Sequence, residues 1–156
     1  MKNKGFTLVE LLGVIVVLAI IGGIATLAIT NYIGNSKEKV YRNYVATLKT
    51  TVEDYLIDDF AKNGNLLPNV GGSRTFTLEE LIDATVIDEL KDPNGGICDP
   101  RETEVIVTRK EDTVPDSDFK FVANIDLTYY VSLDCPGATV TCENYTKADN
   151  CDLVKK

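Results

Sequence analysis

The sequence contains no histidine and no tryptophan, and basic residues and long apolar runs are both scarce. Without histidine it lacks the most common general base of enzyme active sites. It also has neither the G-x-S-x-G pattern of hydrolases nor the glycine-rich phosphate-binding pattern of nucleotide-binding proteins. We therefore expect a protein that is not an enzyme and has no cofactor.

Positive charge is too sparse for a nucleic-acid-binding surface. Lysine and arginine number 16 against 24 acidic residues, so the formal net charge is −8. Residues 1–35 contain Lys2, Lys4 and Glu10 and carry +1, which leaves −9 on residues 36–156. Because affinity for DNA and RNA depends on clustered positive charge, we expect no direct binding of nucleic acid.

One strongly apolar run, from Phe6 to Ile29, contains Glu10 as its single ionisable residue. As a helix this run is about 36 Å long, and a bilayer core is about 30 Å thick. A charge inside hydrocarbon costs at least ~2.5 kcal/mol, and such residues are functional candidates. The pattern predicts a transmembrane helix, in which Glu10 either reaches towards the headgroups or meets a buried cation.

The order of small, basic and apolar residues differs from that of a secretory signal peptide. A secretory signal has a shorter apolar run with a small-residue cleavage site after it. Here the small residue, Gly5, precedes the apolar run and directly follows a segment with two lysines.

Helical periodicity continues beyond the apolar run. Apolar and aromatic residues recur at steps of three and four, at Val40, Tyr41, Tyr44, Val45, Leu48, Val52, Tyr55, Leu56 and Phe60. This spacing predicts one helix from Phe6 to about Lys62, ended by Asn63-Gly64, with an amphipathic second half that packs on a sheet.

The remaining chain has the patterns of a short helix and a β-hairpin. Residues 64–75 are rich in turn formers, and Thr77 with Glu80 has capping-box spacing at the start of "TLEELIDATVIDEL". Two segments, 104–109 and 119–133, alternate between apolar and polar residues and predict antiparallel strands joined through 110–118. The fold class is therefore α+β, with a long N-terminal helix packed on a small antiparallel sheet.

The four cysteines all lie after residue 97, in the part of the chain expected outside the membrane. An even number in such a segment favours two disulfides, with free thiols or a metal site as alternatives. No C-x2-C pair is present, which disfavours zinc. Folding the hairpin brings the regions of Cys98 and Cys135 together, so we favour Cys98–Cys135 and Cys142–Cys151 among the three pairings.

The segment "KGFTLVELL", which contains Gly5, Phe6 and Glu10 and is followed by an apolar helix, resembles the N-terminus of type IV pilins and pseudopilins. The resemblance covers about residues 4–30; beyond it only the layout is pilin-like. In that family a membrane-embedded prepilin peptidase cuts after the glycine and methylates the new N-terminal amine. The resemblance implies a leader at 1–5, cleavage between Gly5 and Phe6, and N-methylation of Phe6.

The resemblance also implies a function and an organisation of the chain. Residues 6–30 would be the transmembrane and filament-core helix, and 31–156 the periplasmic or extracellular head. The head would comprise an amphipathic helix (31–63), a loop with a short helix (64–95) and a sheet with the disulfides (96–156). The precursor would be a single-pass protein of the cytoplasmic membrane with its N-terminus inside, surrounded by lipid.

In the filament, the assembly machinery would combine the subunit with copies of itself or related pilins at the cell surface. Glu10 of one subunit would form a salt bridge with the Phe6 amine of a neighbour. One alternative is a pseudopilin of a type II secretion or competence (DNA-uptake) system. Another is a single-span anchor that carries a binding domain, in which Glu10 would be dispensable and the leader would stay attached.

Three weaker patterns complete the analysis. Asn144 fits a glycosylation acceptor, and the carboxylates of 116–118, Asp149 and Asp152 are candidate calcium ligands, but no EF-hand spacing is present. We expect these groups to be solvated and to bind no metal. Gly22-Gly23 is either a weak point of the helix or a site of close helix packing.

Overall fold

The computed structural model describes residues 7–62, 64–110, 125–143, 145 and 150–156, apart from the side chains of 25–28, 30 and 31. In chain order the elements are α1 (Leu8–Lys62), β1 (Ser73–Thr77), α2 (Leu78–Asp83), β2 (Glu104–Arg109), β3 (Leu127–Cys135), β4 (Ala138–Cys142) and β5 (Asp152–Lys155). The chain divides into two compact units, Met1–Lys37 and Glu38–Lys156. Helix α1 contributes its first part to one unit and its second part to the other, and its end at Lys62 agrees with the prediction.

In the first unit, the apolar side chains of α1 point into open space. Leu8 is 80% exposed, Ile24 is 69% exposed, and the leucine, isoleucine and valine residues from Leu11 to Ile21 are all at least half exposed. Among the described residues, no helix meets the length and apolarity required of a membrane span. The transmembrane segment predicted for 6–30 therefore stays a prediction from the sequence.

The second unit contains a five-stranded sheet whose spatial order, β1-β2-β3-β4-β5, is also the chain order. Every neighbouring pair is antiparallel. The central pairing of β2 with β3, for example Val105 opposite Val131, is the one that the sequence predicts. The α+β class is thus confirmed, with a long helix on an antiparallel sheet.

The core of the second unit lies between the helix and one face of the sheet. The helix contributes Tyr41, Val45, Leu48, Val52 and Leu56, all buried and spaced by three or four residues. The sheet contributes alternate residues, chiefly Phe76, Val105, Val107, Val131, Leu133 and Val140. The predicted stripe is confirmed, although Phe60, at its end, is 37% exposed.

Helix α2 has the predicted capping residue but is shorter than the predicted segment. The Thr77 hydroxyl accepts a hydrogen bond from the Glu80 backbone N–H at 3.2 Å. The helix ends at Asp83, and Thr85 has φ of 56°, a left-handed conformation that an α-helix does not accommodate. Strand β1 begins at Ser73, inside the segment 64–75 that was predicted as a loop.

The described part of the second predicted strand is β3. Its bounds extend two residues beyond residue 133, where the alternation was predicted to end, to Cys135. Residues 119–124 and most of the predicted connection lie outside the described residues. Strand β2 has the predicted bounds, Glu104–Arg109.

Two disulfides, Cys98–Cys135 and Cys142–Cys151, tie the sheet together, and they join the cysteines that the sequence analysis pairs. The first connects the segment before β2 to the end of β3, and the second connects the end of β4 to the start of β5. All four cysteines are buried, so each bridge is also part of the core.

The buried carboxylate of Asp92 joins α1 to the turn between β3 and β4. Asp92 is only 6% exposed. Its Oδ1 accepts hydrogen bonds from the Tyr41 hydroxyl and the Asn94 backbone N–H, both at 2.6 Å, and its Oδ2 accepts one from the Gly137 N–H at 2.5 Å. A Cβ at Gly137 would lie 2.8 Å from the Tyr41 hydroxyl oxygen, so the contact requires glycine at this position.

These hydrogen bonds shift the ionisation of both partners. Burial favours the neutral carboxyl of Asp92, but the bonds from Tyr41, Asn94 and Gly137 outweigh it and lower the pKa of Asp92. Burial, together with the carboxylate that its hydroxyl contacts, raises the pKa of Tyr41 to about 12. The native state is therefore stabilised by an ionised Asp92 and a neutral Tyr41.

We expect Asp92→Asn to lower the free energy of unfolding at pH 7 by about 2–3 kcal/mol, because an amide can replace only part of the charge-assisted bonding. The difference from wild type shrinks as pH falls below about 4, because the carboxyl of the unfolded chain then binds a proton while the depressed pKa keeps the native carboxylate ionised to lower pH. Denaturant unfolding of both chains between pH 3 and 7 measures this difference. Asp88→Asn, at an exposed position, is the control, and an equal loss in both variants would contradict the assignment.

Removal of the two disulfides is expected to have unequal effects. In the chain-entropy treatment, Cys98→Ala with Cys135→Ala costs about 4 kcal/mol, and Cys142→Ala with Cys151→Ala costs about 2.5 kcal/mol. The order follows from sequence separations of 37 and 9 residues. Urea unfolding of the full chain in detergent tests it; a larger loss from the second pair would be the contrary result.

Candidate functional site

The N-terminus of α1 is built as a capping box around Glu10. The Thr7 backbone N–H and the Thr7 hydroxyl both donate to Oε2 of Glu10 at 2.9 Å. In return, the Glu10 backbone N–H donates to the Thr7 hydroxyl oxygen at 3.3 Å. Thr7 is thus the N-cap and Glu10 the third helical residue, a reciprocal arrangement that satisfies free N–H groups of the first turn.

The sequence analysis did not identify Thr7 as a functional residue. The signal was present, since Thr7-Leu8-Val9-Glu10 has the same T-x-x-E spacing that was read correctly at Thr77. Thr7 was missed because Glu10 was interpreted as a charge that has no partner within its own chain. In the structure Glu10 has a role within its own chain, in addition to any role between chains.

The Glu10 carboxylate still has capacity to accept a donor. Both bonds from Thr7 end on Oε2, and no donor from the described part of the chain contacts Oε1. A carboxylate offers about four acceptor sites, and two of them are used here. A cation that approaches along the exposed side of the helix can therefore bind Glu10 without displacing Thr7.

A groove extends from Glu10 along the same face of the helix. It is lined by Glu10, Gly13, Val14, Val17 and Leu18, and its surface is almost wholly apolar. Gly13 adds no side chain to this surface, and a Cβ at this position would have no described neighbour within 4 Å. The acid and the groove together form one continuous feature of the first unit.

The structure describes only part of the predicted site. Gly5 and Phe6 lie outside the described residues, so the predicted contact between Glu10 and a Phe6 amine has no geometry here. Asn144, Asp149 and residues 116–118 also lie outside them. Within the described ranges, no group of three or more His, Cys, Asp and Glu side chains is arranged to hold a metal ion.

A second concave surface lies in the other unit, beside the Cys98–Cys135 disulfide, and its lining includes Asp134 and Lys156. Asp134 already accepts hydrogen bonds from the Lys156 ammonium and, at 2.7 Å, from the Thr139 hydroxyl. These two donors hold the pKa of the Asp134 carboxyl below its usual range. The carboxylate is used within the sheet, so this surface is a weaker candidate for a functional site than the Glu10 groove.

Comparison with known proteins identifies the N-terminal segment. The family model described as the prokaryotic N-terminal methylation motif matches residues 1–26. No curated protein and no solved structure matches the chain. The matched residues include Gly5, Phe6, Thr7, Glu10 and Gly13. The chain therefore carries, at residues 1–26, the class III signal of type IV pilins and pseudopilins.

Proposed function

We propose that the protein is the precursor of a structural subunit of a type IV pilus-like filament. Prepilin peptidase cleaves it after Gly5 and methylates the new terminus at Phe6. The observation that carries the proposal is the methylation motif at residues 1–26. The exposed apolar part of α1 and the compact, disulfide-tied α+β unit are consistent with a subunit made of a packing helix and a head.

Cleavage after Gly5 creates a cation that can bind the Glu10 carboxylate of a neighbouring subunit. A free α-amine has a pKa near 8, so at neutral pH it is largely protonated. Burying an isolated ammonium or an isolated carboxylate costs several kcal/mol, whereas a close pair offsets much of that cost. We infer that Glu10 of one subunit binds the Phe6 amine of the next, with Thr7 still bonded to the other carboxylate oxygen.

This ion pair selects the register between subunits more than it adds stability. A buried pair often adds little net free energy, but a misplaced copy leaves two charges unpaired in apolar surroundings. Registers that separate Glu10 from the amine are therefore penalised. Since the contact joins two different surfaces, head to tail, it can repeat without closing and yields a filament.

The apolar surface of α1 requires an environment other than water. Burying a leucine, isoleucine or valine side chain is worth about 1.5–3 kcal/mol, and more than ten such residues are at least half exposed between Leu8 and Ile29. We infer that lipid of the cytoplasmic membrane covers this surface in the precursor, with the N-terminus on the cytoplasmic side. Copies of the same helix cover it in the filament at the cell surface, where the assembly machinery delivers them.

We expect the mature chain to begin with N-methylated Phe6 when the precursor is expressed together with an active prepilin peptidase. N-terminal sequencing and peptide mass spectrometry measure this directly. Gly5→Leu is the control, because a bulky residue before the cut should leave the leader attached. A wild-type chain that keeps Met1 in the presence of active peptidase would favour the single-span anchor instead.

We expect Glu10→Ala to be processed normally but to lower the yield of filaments at least tenfold. The physical reason is the unpaired amine that the variant leaves in apolar surroundings. Electron microscopy and quantification of sheared surface filaments measure the yield.

Two matched variants show whether the loss is specific to position 10. Glu89→Ala removes an exposed carboxylate of the head and should leave the yield unchanged. Thr7→Val keeps the acid but removes the hydroxyl that contacts it, and should reduce the yield less than Glu10→Ala does. Unchanged yield and morphology in Glu10→Ala would refute the proposed role of the ion pair.

A further inference from the structure

The turn that follows Asp92 contains an asparagine directly before a glycine. Gly95 has φ of 103°, and its N–H donates to the Asp92 backbone carbonyl at 2.9 Å. Asn94 lies at the surface, but its side-chain Nδ2 donates to the Tyr41 hydroxyl at 2.7 Å. An asparagine before glycine readily forms a succinimide, because glycine has no Cβ that would hinder attack by its nitrogen. The turn therefore contains a reactive pair of residues.

We propose that Asn94 is a deamidation site that the fold protects, and that loss of the contact between Tyr41 and Asp92 opens it to reaction. The Gly95 backbone nitrogen attacks Cγ of Asn94, which forms a C–N bond and breaks the Cγ–Nδ2 bond. Ammonia leaves and takes the proton of the Gly95 N–H. Water then hydrolyses the succinimide at one of its two carbonyls, so that aspartate or isoaspartate remains at position 94. This inference does not depend on the proposed function.

Hydrogen bonds hold both reacting groups in the native structure. The Gly95 N–H must lose its proton, yet it donates to the Asp92 carbonyl. The Asn94 amide nitrogen must leave, yet it is bound to the Tyr41 hydroxyl, which itself donates to the Asp92 carboxylate at 2.6 Å. The reaction thus requires a local opening of the turn, and its rate follows the population of the open form.

The packing of the amide restricts it further. A Cβ at Gly137 would lie 2.8 Å from Cγ of Asn94, so the amide rests directly on the backbone of Gly137. The Gly137 N–H donates to the same Asp92 carboxylate. Asn94 is therefore held by a contact that includes α1, the turn and the connection between β3 and β4. Tyr41 is the residue that α1 contributes to this contact.

Deamidation would keep the contact from forming again. The amide of Asn94 donates to Tyr41, whereas a carboxylate has no hydrogen to donate. The new carboxylate would also be separated from that of Asp92 only by the Tyr41 hydroxyl, and Asp92 is 6% exposed. Like charges repel strongly where water is partly excluded. A transient opening of the turn is thereby converted into a permanent change at one end of the core.

Peptide mapping of the full chain in detergent tests the protection. Native and guanidinium-unfolded samples are incubated at pH 8, and mass spectrometry measures the conversion of Asn94 to aspartate or isoaspartate over time. We expect the reaction to be at least about tenfold slower in the native chain, because it waits for the turn to open. Equal rates in the two samples would overturn the inference.

Tyr41→Phe tests which contact provides the protection. The variant removes the hydroxyl that binds both Asp92 and Asn94 but keeps the ring in the core. Under native conditions we expect Asn94 to deamidate about tenfold faster than in wild type, because the turn then opens more often. Tyr44→Phe is the matched control, since it removes a hydroxyl that donates to the Lys91 carbonyl of the same segment, and it should leave the rate unchanged.

Asn63-Gly64, the other Asn-Gly pair of the sequence, separates a local opening from general unfolding. Its rate is measured in the same digests and should not differ between wild type and Tyr41→Phe. A parallel rise at Asn63 and Asn94, or an unchanged rate at Asn94 in Tyr41→Phe, would be the contrary result. If Tyr41→Phe does not fold, the comparison of native with unfolded wild type decides alone, because it uses the native contact.

Discussion

The first unit depends on one electrostatic constraint, a carboxylate on an apolar helix. Glu10 is held by Thr7 at the start of α1, where two hydrogen bonds reach its carboxylate and, among the described residues, no cation contacts it. The exposed apolar residues around it cannot remain in water, and a charge among them must be compensated once water is excluded. Under the proposed function, the compensating cation is the amine that cleavage after Gly5 would create at Phe6, within the methylation motif.

The second unit is stabilised by different means. Its helix and sheet bury a continuous apolar core, and a satisfied carboxylate and two disulfides join segments that are distant in the chain. Asp92 connects Tyr41 of the helix to Gly137 between β3 and β4, so a buried charge here has a structural role. The two carboxylates differ in how far hydrogen-bond donors of the described chain satisfy them. Asp92 has its donors within the fold, whereas Glu10 has acceptor capacity left over.

Predictions from the sequence succeeded where the signal was local and periodic. The stripe from Tyr41 to Leu56, the cap at Thr77 and the bounds of β2 follow from spacing alone, because helices and strands have fixed periods. Strand β1 was missed because Phe76 is its only large apolar residue, and it pairs because β2 offers an edge. The Thr7 cap was missed although Thr7 and Glu10 have capping-box spacing, because the sequence analysis considered only partners of Glu10 in another chain.

The sequence by itself determined the N-terminal signal, the isolation of Glu10, the amphipathic helix and the α+β class. Each of these depends on residue order within a few turns or a few strand residues. Only the tertiary structure decided the order of five strands, the shape of the groove at Gly13 and the full set of donors around Asp92. Tyr41 and Asp92 are 51 residues apart, and no pattern along a chain encodes a contact over that distance. Such contacts form only when the helix packs on the sheet, because this packing brings groups that are distant in the sequence within hydrogen-bonding distance.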